Sequence, residues 1–175
     1  ENDLTELDLQ DEKETVTLKR GHNGVPMVHQ APVYAAAPAA HSAAAVVDTL
    51  ADLGVGADDL ATIVVTHIHL DHAGGVGDLA AAFPNAQVVV HEAGARHLAD
   101  PSRLMASAER VFGPVLDELF GRLRPTDAER ITVLSGDDAI DLGSGRRLES
   151  FDSPGHARHH VGLLDSVSGD LYTGD

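Results

Sequence analysis

In the segment Thr66-His67-Ile68-His69-Leu70-Asp71-His72-Ala73-Gly74-Gly75, four potential metal ligands fall within six residues. In an extended loop, His67 and His69 point the same way, because side chains alternate with period two. Asp71 and His72 come at the turn into the following helix and project from a different direction. One short segment can thus serve two cations. Neutral imidazole and carboxylate are the donors that suit zinc. Gly74 and Gly75 let the chain turn sharply behind the site. A polar loop with scattered histidines is the plain alternative. The pattern His-x-His-x-Asp-His is too specific a spacing to favour it.

Two later segments carry the same donor types. In Ser153-Pro154-Gly155-His156-Ala157-Arg158-His159-His160, the Pro-Gly turn presents His156 at a strand end, as a further ligand. His159 and His160 are candidates for orienting partners, substrate contacts or plain surface residues. In Thr173-Gly174-Asp175, an acid at a strand end can bridge two cations through its two oxygens. Arg96, Arg103, Arg158 and Tyr172 are candidate contacts for an anionic substrate, with pairing to nearby acids as the rival role for the arginines. His91 and His97 read as structural or surface residues, and Asp48 as a solvated helix residue.

These side chains need a scaffold. Ala61 to Thr66 and Gln87 to Val90 are apolar, β-branched runs of buried-strand type. A helix from about Ala73 to Phe83 between them makes a βαβ unit. Upstream, a helix from a Ser42 cap to about Leu53 carries an apolar face of Val46, Val47, Leu50 and Leu53, and Gly54 ends it. Helical material runs from about Glu92 to Leu123, broken near Asp100-Pro101 and Gly113-Pro114, with Met105 and Phe112 as core. Short strands follow at Ile131–Leu134, Ala139–Leu142, Arg147–Phe151, Val161–Leu164 and Leu171–Thr173. Residues 1–39 form an irregular segment with a strand expected at Thr15–Leu18, and Tyr34 there has no role. The class is α/β with a mixed sheet, in a domain covering 40–175.

Composition narrows the function. Lys+Arg number 12 against 28 Asp+Glu, a formal net charge of -16 over 175 residues. Such a surface repels phosphate backbones, so nucleic acid is not expected as a partner or substrate. No Cys means no disulfide framework and no thiolate site. No apolar run reaches membrane-spanning length and no signal peptide is visible, so a cytoplasmic protein is expected, adapted to high salt.

The three donor segments, in this order, resemble the metallo-β-lactamase superfamily. His67, His69, Asp71 and His72 match its first metal motif, His156 in Pro154-Gly155-His156 the next ligand, and Asp175 in Thr173-Gly174-Asp175 the bridging acid. The segments His91 to Leu98 and Asp100 to Leu104 are similar to a subgroup near the glyoxalase II-type hydrolases. The resemblance implies an αββα sandwich with metals at one edge between its sheets. It implies two zinc ions, the first held by His67, His69 and His156 and the second by Asp71, His72 and Asp175. Such a pair polarises a carbonyl and lowers the pKa of a bound water from 15.7 to about 7. The resulting hydroxide attacks a small ester, thioester or lactone, with Asp71 orienting it and handling the proton. His69 favours a hydrolase, since diiron electron-transfer relatives commonly carry Glu there.

Two departures accompany the match. No histidine follows His160, whereas the family supplies a last ligand beyond the bridging acid, so the chain reads as the front part of a longer protein. Dimerisation or a second chain would then cover the exposed sheet face. The family's opening hairpin and its Asp-Thr-Gly turn have no good counterpart; Val47-Asp48-Thr49-Leu50 is nearest. Rival readings are a mononuclear iron sulfur dioxygenase using His67, His156 and Asp175, a phosphodiesterase disfavoured by charge, and a non-catalytic fragment that keeps the motif.

Overall fold

Alternation of leucine with acidic and polar residues pairs two N-terminal strands, β1 (Glu6–Asp11) and β2 (Glu14–Lys19). Their antiparallel register sets Leu7 opposite Leu18 and Leu9 opposite Val16. Only the second of these strands is expected from the sequence. The computed structural model describes these strands and residues 39–175, with side chains described from residue 43 onward. The reading of 21–38 as loop, and Tyr34 within it, lies outside the described residues. The chain divides into two units, residues 1–35 and 36–175.

The second unit opens with helix α1 (Ala39–Asp52), so Ser42 lies inside the helix and does not cap it. Gly54 ends it as expected, at φ +81° with its N–H on Ala51 O at 2.9 Å. The face turned to the protein runs through Ala43, Val47 and Leu50; Val46 and Leu53 are exposed.

Strands β3 (Thr62–Val64), β4 (Gln87–His91) and β5 (Ile131–Leu134) form a parallel sheet in that order. Where one helix was expected between β3 and β4 there are two, α2 (Leu70–Ala73) and α3 (Val76–Ala82), divided at Gly74-Gly75. Between β4 and β5 lie α4 (Glu92–Ala99), α5 (Ser102–Phe112) and α6 (Leu116–Leu119). Both crossovers bring helices to one face of the sheet. Val88 and Val90 of β4, fully buried, pack there with Leu70, Ala80, Leu98, Met105 and Leu116. Arg130 fastens the edge: its guanidinium donates to the carbonyls of Ala80 (2.6 Å), Phe83 (2.8 Å) and Ala86 (3.1 Å).

Strands β6 (Ala139–Asp141), β7 (Arg147–Asp152), β8 (Val161–Asp165) and β9 (Leu171–Tyr172) form an antiparallel sheet. Parallel and antiparallel pairings are thus segregated into two sheets and do not mix within one, because both parallel pairs come from helical crossovers and the later strands from short turns. The β8–β9 turn closes on Asp165, 1% exposed, whose carboxylate accepts from Arg146 and, at 2.9 Å, from the Val167 N–H. The two sheets meet just beyond β3, where the Val161 N–H donates to Thr66 O at 2.9 Å. No helix among the described residues is long and apolar enough to cross a membrane.

Candidate metal centre

That junction gathers the histidines. The chain leaves β3 through Thr66 to His69, and His69 stands at the N-terminus of α2 in extended conformation (φ -66°, ψ 150°). His67 is fully buried there, while Asp71 and His72 follow on the first turn of α2. His156 comes from the loop before β8 and Asp175 from the residues after β9.

Two groups of donor atoms result, the atoms of each lying within 4.8 Å of one another: His67, His69 and His156; and His67, His72 and Asp175. His69 Nδ1 and His156 Nε2 are 2.7 Å apart. Asp175 faces both groups, with Oδ1 2.9 Å from His72 Nε2 and Oδ2 3.5 Å from His156 Nε2. Asp71 is not in the second group, which shares His67 with the first; its Oδ2 lies 3.7 Å from His72 Nε2.

Burial governs the electrostatics. His67 is pushed down to about 3, chiefly by burial, then by His72, His69 and His160 nearby. Burial and His156 lower His69 as well. His159 falls to about 4 through burial and the proximity of His69. These rings are neutral at neutral pH, the form that ligates metal. Thr66 Oγ1 lies 3.2 Å from His67 Nδ1. With the proton on Nδ1, His67 Nε2 keeps its lone pair, and that atom is buried with no hydrogen-bond partner among the described residues. Stranding a buried polar atom costs about 1–3 kcal/mol. A cation at Nε2 would satisfy it, and the nitrogen and oxygen donor set fits zinc. The residues therefore fit the implied metal.

Around these donors sit residues of other kinds. His159 Nδ1 accepts from the Ile68 N–H at 3.3 Å, bracing the backbone between His67 and His69. His160, 2% exposed, has neither ring nitrogen hydrogen-bonded to any described residue. It stands against Gly174, where a Cβ would lie 2.7 Å from His160 Nε2 and 2.9 Å from Thr66 Oγ1. Thr66 and Gly174 are site residues that sequence reasoning missed as such, although both flank the motifs. His91 is a buried helix cap: its Nδ1 accepts from the Ala93 N–H at 3.1 Å, and Nε2 is 3.5 Å from Asp152. Tyr172 is 48% exposed on β9, opposite Leu163, and no described hydrogen bond or ring contact ties it to the cluster. Asp48 is exposed on α1, as expected. Among the described residues, arginine ion pairs are made by Arg122, Arg146 and Arg147; Arg96 instead donates to His97 at 3.2 Å.

Comparison with known proteins places the chain in a family. Residues 32–175 match the family model of the metallo-beta-lactamase superfamily. The metallo-beta-lactamase fold-containing protein ST1585 of Sulfurisphaera tokodaii is 35% identical over 121 residues, 67% of this chain and 45% of that protein. A hydroxyacylglutathione hydrolase of Synechococcus sp. is 30% identical over 130 residues (74% and 38%), and an acyl-coenzyme A thioesterase of Bos taurus 31% over 117 residues (64% and 39%). The crystal structure of the archaeal superfamily protein from Sulfolobus tokodaii superposes with a TM-score of 0.56 at 32% identity, over 65% of this chain and 44% of that one. The chain spans less than half the length of these relatives. With its donors converging from three separated segments at the meeting of two sheets, the chain belongs to the metallo-β-lactamase superfamily.

Proposed function

We propose that the protein is a metal-dependent hydrolase of small carboxylic esters, thioesters or lactones, working with two zinc ions. One observation carries the reading: three segments distant in sequence, His67 to His72, His156 and Asp175, bring ligating atoms into two groups that share His67, whose buried Nε2 has no hydrogen-bond partner among the described residues. When bound, the metal pair supplies Lewis acidity and a water that ionises near neutral pH. His67, His69 and His156 would hold the first ion and His72 and Asp175 the second, with Asp175 reaching toward both. Neutral imidazoles keep the lone pairs available, and burial of His67 keeps water off its ring. Asp71, its side chain 43% exposed and its Oδ2 3.7 Å from His72, is placed to accept a proton and pass it to solvent. The hydroxyacylglutathione hydrolase and acyl-coenzyme A thioesterase among the relatives support an ester or thioester as substrate. The acid excess supports a surface suited to high salt.

The test pairs metal analysis with a panel of simple esters and thioesters. Wild type is expected to hold about two zinc per chain and to turn over some of the panel. His67→Ala with His69→Ala is expected to lose metal and turnover while keeping its far-ultraviolet spectrum. Unchanged turnover in the double variant, or one iron per chain without hydrolysis, would overturn the proposal.

A further inference from the structure

A groove of about 450 Å³ opens directly beside the donors, with His69 and Asp71 forming one end of its wall. That size falls within the ~300–1,000 Å³ of ligand pockets. Its floor is one face of α5, where Leu104, Ser107, Ala108 and Val111 recur at helical spacing. Its far end is Phe112 against Phe120, edge to face with ring centres 4.9 Å apart. Sequence periodicity puts Phe112 in the core, yet it is 38% exposed, and Val111 beside it is 74% exposed. The core takes up Leu104, Ala108 and Phe120 but leaves Val111 and Phe112 at the end of the stripe outside it. The groove wall, continuous with the metal ligands, accounts for those two.

We infer that this groove receives the apolar acyl chain of the substrate, and so assign the protein an acyl-ester or acyl-thioester specificity; the inference rests on the hydrolase reading above. The lining decides which half of an ester lies here. Its titratable members are His69 and Asp71, and it holds no lysine or arginine. A leaving group bearing phosphate or carboxylate would find no lysine or arginine along this wall. A hydrocarbon chain meets leucine, valine and phenylalanine side chains. With the carbonyl beside His69 and Asp71, the chain extends along α5 toward Phe120.

Two substrate series and one variant test this. The first varies the acyl chain from acetyl to decanoyl on a common thiol. The second keeps acetyl and varies the alkyl length of the thiol. Each methylene taken out of water is worth about fourfold in kcat/KM, so the acyl series should climb by that factor per carbon until the groove is full. The leaving-group series should stay flat. Ser107 is exposed and lines the groove, so Ser107→Phe fills it without disturbing the core. It should lower the octanoyl-to-acetyl ratio of kcat/KM at least tenfold. Calorimetric titration of the purified protein with octanoate, against acetate, reads the groove independently of turnover; Ser107→Phe should weaken octanoate at least tenfold. A flat acyl series, a preference residing in the leaving group, or octanoate binding untouched by Ser107→Phe would each overturn the inference. If no ester of any length is cleaved, the hydrolase reading fails, and the octanoate titration alone then decides the groove.

Discussion

Replacing Gly174 by Ala tests whether the turn before Asp175 exists to aim that carboxylate. Gly174 has φ +65°, a left-handed conformation costing an L-residue about 1–2 kcal/mol. Its new Cβ would stand 2.7 Å from His160 Nε2, 2.9 Å from Thr66 Oγ1 and 3.2 Å from Thr66 Cβ. Overpacking of that kind costs about 1–3 kcal/mol. Staying in place would thus cost about 2–5 kcal/mol. His160 is 2% exposed, and Thr66 is held by the Val161 N–H, so neither yields readily. Gly174 and Asp175 are exposed, and the 2.9 Å His72–Asp175 pair, worth no more than about 1 kcal/mol when solvated, is too weak to hold them. The turn therefore shifts and carries Asp175 away from His72 and His156. Disturbing even a residue that only orients a ligand costs metal sites about 10–100-fold in affinity, and moving a ligand itself should cost no less. Zinc affinity measured against a chromophoric chelator should fall at least tenfold in Gly174→Ala. The double variant with Asp175→Asn should be no worse than Asp175→Asn alone, since both remove the same carboxylate. Wild-type affinity in Gly174→Ala beside a weakened Asp175→Asn, or losses that add in the double variant, would refute the reasoning.

Two predictions concern the scaffold. Gly77→Ala sets a Cβ into the Arg124 carbonyl, 2.7 Å from its carbon, where backbone meets backbone; at about 1–3 kcal/mol it should lower the melting temperature by roughly 2–12 °C in a thermal scan. Arg146 and the turn N–H groups hold the Asp165 carboxyl at about 2, below its ordinary 3.8. Its contribution is complete above pH 3.8 and disappears as pH falls through about 2, so acid unfolding of Asp165→Asn should depend less steeply on pH in that window than wild type, and an unchanged acid limb would contradict this.

How much of this was legible depends on how each element announces itself. The β-branched runs before Thr66 and at Gln87–Val90 mark β3 and β4; the run fits β4, buried from Val88 to His91, more fully than the half-buried edge strand β3. The donors were legible for a similar reason: their spacing is local, and only the meeting of the segments is not. The face of α1 was misread because it packs through Ala43, a residue too small to stand out, while the larger Val46 and Leu53 are left outside. β1 was hidden by its charge, although Leu7 and Leu9 alternate in it. Asp71 fits the motif by spacing, yet its rotation on α2 turns it toward the groove as well as His72, and rotation is set by packing. The groove has no motif at all. Its residues are common apolar types on α5, and only the course of α6 back to Phe120 makes them a wall.

The net charge of -16 acts on the centre from a distance, and burial acts at the atom. A negative protein attracts protons, so its histidines should titrate high. His67 moves the other way, to about 3, so burial with its neighbouring rings outweighs the global field. Screening explains the outcome, since exposed charges act over only about 8 Å at physiological salt, whereas desolvation of an enclosed ring is not screened. The two effects then serve the same end without conflict. The acidic surface raises the local concentration of cations, and the buried rings present them with neutral ligands that need not first lose a proton. His67 Nε2, without a hydrogen-bond partner among the described residues, is the cost the fold carries for this arrangement, and a bound cation would relieve it.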